Sequence, residues 1–131
     1  MKKFVCLIFI LLLCCGCSSS QKEKIAYCHC IFKDIESDVY ATYDEGGIVT
    51  SEESTMKFTY NTIDEAITME KYFDIGDKAA EFDYYNVTRE GNIITLSQRK
   101  TKNLNLSVDE FIKENNSNEC SCEKDYNKTV D

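Results

Sequence analysis

The chain has 131 residues, a length that suits one domain and excludes a large multidomain enzyme. It contains 15 basic and 23 acidic residues, for a formal net charge of −8, so we expect no nucleic-acid partner. Hydrophobic residues make up 43% and charged residues 29% of the sequence, a balance typical of a folded domain rather than a disordered chain.

The first residues have the layout of a secretory signal peptide. A basic start is followed by an uninterrupted apolar run, Phe4–Leu13, which is shorter than the roughly 20 residues that a membrane-spanning helix needs. The next stretch, Leu13-Cys14-Cys15-Gly16-Cys17, resembles the lipobox of bacterial lipoproteins. This resemblance implies cleavage after Gly16, a diacylglycerol on the Cys17 sulfur and a further acyl chain, such as palmitate, on the new amino terminus.

The expected location follows from this junction. We expect a lipoprotein signal peptide over residues 1–16, and a lipidated Cys17 with a flexible tether over residues 17–23. Two or three acyl chains hold a protein durably on a bilayer, which predicts attachment to the outer face of the cell membrane. Loss of residues 1–16 leaves 13 basic and 23 acidic residues, a net charge of −10, so the acyl chains rather than anionic headgroups would provide the membrane contact.

Three strands are predicted at the start of the domain, over residues 25–32, 36–44 and 48–60. Glu45-Gly46-Gly47 joins the last two and is typical of a hairpin turn. Residues alternate between the two faces of a strand. Alternation in the first strand places Cys28, Cys30 and Phe32 on one face, and Ile25, Tyr27, His29 and Ile31 on the other.

Two helices and a second hairpin complete the predicted domain. Thr62 and Glu65 form a capping-box pattern that predicts a helix start, with Gly76 as its stop. Residues 82–89 and 92–100 are strand-like, and Ser107 with Glu110 forms a second capping box. The sequence therefore predicts an α+β fold in the order βββ-α-ββ-α, with an antiparallel sheet of about five strands and two short helices. The domain would span residues 24–122, and residues 123–131 would form a flexible tail.

Four cysteines remain after the signal region, in two Cys-x-Cys pairs near the two ends of the domain: Cys28, Cys30, Cys120 and Cys122. An even number of cysteines in an exported protein favours disulfides, and four allow three connectivities. Two cysteines that are two residues apart in one strand are separated by nearly the longest distance that a disulfide can bridge. We therefore expect at least one bridge between the two pairs. Closing a loop of about 90 residues would contribute on the order of 4–5 kcal/mol in the chain-entropy model.

The same residues also allow a metal-binding or thiol-redox hypothesis. Cys28, His29, Cys30, Cys120 and Cys122 offer four thiolates and an imidazole, a set that suits zinc or copper(I). The Cys-x-Cys spacing is tighter than that of structural zinc sites, and His29 would point away from its neighbouring cysteines. Structural disulfides are therefore the preferred interpretation, with no metal or other cofactor expected.

The layout of the whole chain resembles a known group of proteins. A lipobox precedes a strand that carries Cys28 and Cys30, followed by the Tyr-Asp-Glu-Gly-Gly hairpin at residues 43–47 and a Thr-rich strand. A Ser-x-x-Glu helix then comes just before Cys120. This layout is similar to that of the small YehR-like bacterial lipoproteins and their relatives in low-GC Gram-positive bacteria, so the resemblance also implies such a source. The resemblance implies a small α+β sheet domain and an envelope location, and it brings no catalytic motif.

Catalytic signatures are absent from the sequence. His29 is the only histidine, and no Gly-x-Ser-x-Gly, P-loop or His-Glu-x-x-His motif occurs. The many carboxylates are interpreted as a solvated acidic surface. A set of tyrosines could stack on sugars or peptides, although packing within the sheet is the preferred interpretation: Tyr40, Tyr43, Tyr60, Tyr84 and Tyr85. We expect a non-enzymatic binding module with an envelope protein or a glycan as its partner.

Overall fold

The structure is a computed structural model that describes residues 23–74 and 80–126. Its elements in chain order are β1 (Lys24–Phe32), β2 (Ile35–Tyr43), β3 (Val49–Thr59), α1 (Ile63–Phe73), β4 (Tyr84–Glu90), β5 (Ile93–Lys100), α2 (Val108–Asn115) and β6 (Cys120–Glu123). The strands form one antiparallel sheet in the order β4-β5-β3-β2-β1-β6.

The prediction of an α+β fold with five strands is wrong for the described part of the chain. Strand residues outnumber helix residues more than two to one, and the sheet has six strands, so the domain is mostly β. The sixth strand is β6, which pairs with β1 through only four residues. Too short to show a sequence alternation, β6 is a strand only because of this pairing. The first seven elements do follow the predicted order βββ-α-ββ-α.

Both helices pack on one face of the sheet. The helix α1 lies over β4 and β5, where the Tyr85 hydroxyl donates a hydrogen bond to the Phe73 carbonyl oxygen at 2.8 Å. The helix α2 lies over β1, β2 and β6, and its Phe111 is 1% exposed. The main core lies between α2 and the sheet and consists of seven buried residues: Ala26, Cys28, Ala41, Tyr43, Val49, Val108 and Phe111.

Local hydrogen bonds explain where each helix begins. The Thr62 side chain accepts from the Glu65 backbone N–H at 3.1 Å, as the sequence predicted. At α2 the predicted capping box is complete, because Ser107 Oγ accepts from the Glu110 N–H and the Glu110 carboxylate accepts from the Ser107 N–H. The predicted stop of α1 at Gly76 lies outside the described residues, and the helix ends at Phe73.

The turn between β2 and β3 is tied to α2. Gly47 has φ +77°, in the left-handed region that glycine adopts without steric cost. Its N–H donates to the Asp44 carbonyl oxygen at 2.9 Å, and its own carbonyl oxygen accepts from the Val108 N–H at 2.8 Å. This second bond satisfies a backbone donor in the first turn of α2, so the hairpin turn helps to position the helix.

Two disulfides join the ends of the domain, which confirms the predicted bridging between the cysteine pairs. Cys28 is bonded to Cys122, and Cys30 to Cys120. Each pair lies directly opposite in the register of β1 and β6. Both bridges therefore attach the short edge strand β6 to the centre of β1.

Three residues that follow Cys122 bond to the sheet or belong to it. The strand β6 includes Glu123, the Tyr43 hydroxyl donates to the Asp125 carboxylate at 2.7 Å, and the Tyr126 N–H donates to the Ile25 carbonyl oxygen at 2.9 Å. Glu123 is thus part of the sheet, and Asp125 and Tyr126 contact it.

The predicted signal peptide, Cys17 and most of the predicted tether lie outside the described residues. Within residues 23–74 and 80–126, no helix combines the length and the apolar character needed to cross a bilayer.

Candidate functional site

The face of the sheet opposite the two helices, called here the open face, carries most of the clustered polar and aromatic side chains. Side chains alternate between the two faces, and the register aligns those of the open face in rows that cross all six strands. The first, the aromatic row, consists of Glu123, Tyr27, Tyr40, Glu53, Arg99 and Tyr84. The second, the polar row, consists of Ser121, His29, Asp38, Thr55, Ser97 and Asn86.

A hydrogen-bonded cluster occupies one half of this face. The Tyr27 hydroxyl donates to Asp38 Oδ1 at 2.5 Å, and His29 Nδ1 lies 2.7 Å from the same oxygen. With Asp38 ionised, Nδ1 carries the proton of that bond. The other ring nitrogen, Nε2, is 3.9 Å from the Glu36 carboxylate. The imidazole thus lies between two carboxylates and is hydrogen-bonded to one of them, Asp38, which sets its orientation.

The ionisation of the cluster follows from these bonds. Burial alone would raise the pKa of Asp38, but the hydrogen bonds from Tyr27 and His29 outweigh it and hold that pKa below its usual value. Burial, together with the bond to Asp38, raises the pKa of Tyr27 far above that of a free tyrosine. At neutral pH the pair is therefore a carboxylate and a neutral phenol. Such an Asp38 is a weak proton acceptor, because its lone pairs already receive two donors.

Three tyrosine rings pack together beside this cluster. The Tyr27 ring is stacked on the Tyr40 ring at a centroid distance of 4.8 Å, and its centroid lies 4.6 Å from that of Tyr126. Aromatic pairs at such distances are stabilising beyond the area that they bury. The three rings therefore contribute a packed aromatic surface beside the Asp38 cluster.

A trench lies on the other half of the open face, over β3, β5 and β4. It has a volume of about 340 Å³. Its lining includes an aromatic ring, both signs of charge and two hydroxyl groups, from Tyr84, Glu53, Arg99, Thr55 and Ser97. The first three belong to the aromatic row, and the two hydroxyl residues belong to the polar row. The Tyr84 side chain is prominent here, since the residue is 50% exposed.

The predicted cysteine site lies on the opposite side of the sheet. Cys28 is completely buried in the core beneath α2, and its partner Cys122 packs against that core. All four sulfur atoms are used in disulfides, so the alternative site that combined them with His29 lacks its thiolates here. Among residues 23–74 and 80–126, no group of three or more His, Cys, Asp or Glu side chains is arranged to hold a metal ion.

The tyrosines singled out in the sequence do not form a single row. Tyr40 and Tyr84 lie on the open face, whereas Tyr43 is buried in the core and Tyr85 bonds to α1. Sequence reasoning missed the contact of Asp38 with Tyr27 and His29. Alternation placed Tyr27 and His29 on one face, but the partner strand's register was needed to bring Asp38 beside them.

Comparison of the chain with known protein families, curated proteins and solved structures gives no match. The resemblance to YehR-like lipoproteins stays a prediction from the sequence layout.

Proposed function

We propose that this protein is a bacterial lipoprotein, anchored through Cys17 to the outer face of the cell membrane, that binds a partner through the open face of its sheet. The observation that carries the binding role is that both described helices pack on one face. The other face then presents side chains suited to contact, including the exposed Tyr84 and the trench beside it. A concave site that combines aromatic side chains with a few polar groups is the usual form of a small-ligand binding site.

The anchor is supported by the sequence and by the disulfides. Gly16 followed by Cys17, after a basic start and an apolar run, fits lipoprotein processing. Disulfides persist in oxidising compartments, and the two bridges of this domain suit an exported protein. The domain would then lie at the outer face of the cell membrane, and residues 18–23 would form the spacer between the lipid anchor and the sheet.

The binding role is supported by the chemistry of the open face. Its histidine is held between carboxylates, and its best-placed carboxylate, Asp38, has a lowered pKa and two donors. Asp38 accepts hydrogen bonds from its two neighbours and is a weak proton acceptor. A non-enzymatic role is therefore the function that this geometry favours.

The anchor is tested by labelling the full chain with a radioactive or alkyne-bearing palmitate in a Gram-positive host. We expect label on the unmodified chain and on Cys15→Ala, which is the matched control. Cys17→Ala should lose the label and leave the membrane fraction or accumulate as the uncleaved precursor. Label retained on Cys17→Ala would contradict the anchor.

The binding face is tested by site-specific photo-cross-linking on living cells. A photoreactive residue at Thr55, on the open face, should give defined cross-linked products with envelope components. The same residue at Tyr72, on the exposed side of α1, serves as the control and should give few. Equal cross-linking from the two positions would argue against the open face as the contact surface.

A further inference from the structure

We propose that the trench over β3, β5 and β4 binds a neutral glycan chain, with Tyr84 as the stacking platform. This inference rests on the proposed function, in that it names the ligand class of the open face. The open-face residues of its lining are Tyr84, Glu53, Arg99, Thr55 and Ser97, around a volume of about 340 Å³.

The position of the trench selects the kind of ligand. A peptide that extends a sheet binds at a strand edge, where backbone N–H and C=O groups are free to pair. The trench lies on a face, where the backbone groups of β3 and β5 already bond to neighbouring strands. With the backbone pairing already satisfied, recognition there depends mainly on the side chains of the lining, which meet the ring surfaces and hydrogen-bonding groups of a ligand.

The lining groups match the two surfaces of a pyranose ring. A sugar ring has an apolar C–H face, and the half-exposed Tyr84 ring supplies an apolar body with a polar tip. Around its edge a sugar carries hydroxyls that both donate and accept. Arg99 donates, Glu53 accepts, and the hydroxyls of Thr55 and Ser97 do both.

The charge of the trench favours a neutral chain. Arg99 and Glu53 lie directly opposite each other on β5 and β3, so the lining carries one charge of each sign. The two rows as a whole are acidic, with Asp38, Glu53 and Glu123 against Arg99 and a single histidine. An anionic polysaccharide or a phosphate polymer would meet repulsion on this face and from the acidic chain around it.

The direction of the two rows suits an extended chain of sugars. Neighbouring strands are about 4.8 Å apart, a spacing close to the repeat of one pyranose unit in an extended β-1,4-linked chain. The polar row presents one hydrogen-bonding side chain on each of the six strands. A glycan that starts on Tyr84 and runs across the strands would meet a new polar group at each unit, from Asn86 and Ser97 to Thr55.

Titration calorimetry on the full chain, purified in detergent with both disulfides intact, tests this site. The probes are neutral β-1,4-linked hexasaccharides of glucose and of N-acetylglucosamine, with hexagalacturonate as the anionic comparison. We expect a dissociation constant in the millimolar range or tighter for at least one neutral probe, and weaker or no binding of hexagalacturonate.

Four variants locate the binding. Tyr84→Ala should weaken it about tenfold, whereas Tyr84→Phe, which keeps the ring, should stay within about threefold of the unmodified chain. Tyr72→Ala is the matched control, because Tyr72 is 53% exposed and belongs to α1 on the other side of the sheet. Arg99→Gln removes a hydrogen-bond donor from the trench and keeps the Tyr84 ring, and it should also weaken binding. It provides a second test of the site in case Tyr84→Ala does not fold.

Three outcomes would overturn the assignment: no binding of either neutral hexasaccharide, tighter binding of hexagalacturonate, or unchanged binding by both Tyr84→Ala and Arg99→Gln. A chain that is palmitoylated at Cys17 and cross-links a protein through Thr55, yet binds no neutral probe, overturns the glycan inference and leaves the proposed function standing. Loss of the anchor with retained, Tyr84-dependent glycan binding refutes the anchor alone.

Discussion

Cys28 and Cys122 are 94 residues apart in sequence, yet their Cα atoms lie 4.1 Å apart in directly opposite positions of β1 and β6. Cys30 and Cys120 repeat this arrangement two residues further along β1 and close a loop of nearly the same length. The two bridges are therefore nested. Once either has formed, the other closes only a very small ring.

This nesting predicts a non-additive loss of stability. In the chain-entropy model the first closure contributes about 4–5 kcal/mol and the second, a ring of a few residues, about 2 kcal/mol. Cys30→Ala with Cys120→Ala should thus lower the free energy of unfolding by about 2 kcal/mol, and removal of all four cysteines by about 6 kcal/mol. Urea denaturation measures both. If Cys30→Ala with Cys120→Ala lowered the free energy of unfolding by about 4–5 kcal/mol, the remaining Cys28–Cys122 bridge would not be closing the long loop by itself, which would contradict the prediction.

The lowered pKa of Asp38 predicts a dependence of stability on acid. Because the pKa of Asp38 is lower in the folded state, its contribution is fully present above the unfolded value, near 4, and is lost as the pH falls through the folded pKa. Asp38→Asn should cost about 1 kcal/mol at pH 7, a modest value because this partly exposed carboxylate is screened by solvent. The difference from the unmodified chain should shrink below pH 4. Unfolding in urea from pH 7 to pH 3 measures it, and a difference that stays constant over this range would contradict the role of Asp38.

The raised pKa of Tyr43 predicts that the folded chain loses stability in alkali. Burial, reinforced by the hydrogen bond to Asp125, raises the pKa of Tyr43 to about 12. The unfolded chain then loses this proton near pH 10 while the folded chain keeps it, so stability falls as the pH rises from 10 to 12. Tyr43→Phe should be less stable by about 1 kcal/mol at pH 7 and should lose less stability between pH 7 and pH 11. If the unmodified chain and Tyr43→Phe lost equal amounts of stability between pH 7 and pH 11, this role of Tyr43 would be refuted.

The burial of Phe111 predicts that its removal from α2 strongly lowers the free energy of unfolding. It is 1% exposed and packs against the core residues of β1 and β2. Phe111→Ala should reduce the free energy of unfolding by about 3–5 kcal/mol, because it removes a large buried ring and leaves a cavity. Tyr72→Ala, at an exposed aromatic on α1, should change it by less than about 0.5 kcal/mol. Chemical denaturation compares them directly, and similar costs at the two positions would be inconsistent with a core beneath α2.

Local patterns predicted much of this fold. The alternation of β1 correctly separated Cys28 and Cys30 from Tyr27 and His29. Ser107 and Glu110 correctly located the start of α2, since a capping box is a contact between residues only three apart. The paired cysteines also indicated a link between the ends of the domain, because chemistry restricts cysteine partners more than it restricts any other side chain.

The strand β6 and the open face depended on contacts distant in sequence. Residues 120–123 hold a serine and a glutamate between and after their cysteines, and nothing in four residues distinguishes a strand from a loop. Only β1, through its free edge and two disulfides, makes this segment a strand. Likewise Tyr40 and Tyr84 share a face while Tyr43 and Tyr85 lie on the other, a division that the strand register imposes.

The sequence by itself determined the lipobox-like junction at Cys17, the acidity of the chain, the cysteine pairs and the helix starts, because each depends on composition or on near neighbours. Only the tertiary structure decided that Asp38 lies between Tyr27 and His29, and that Tyr84, Arg99 and Glu53 line one trench. The reason is physical. A shift of one residue in strand pairing moves every side chain to the opposite face, so residues on separate strands become neighbours only once the register of the whole sheet is set.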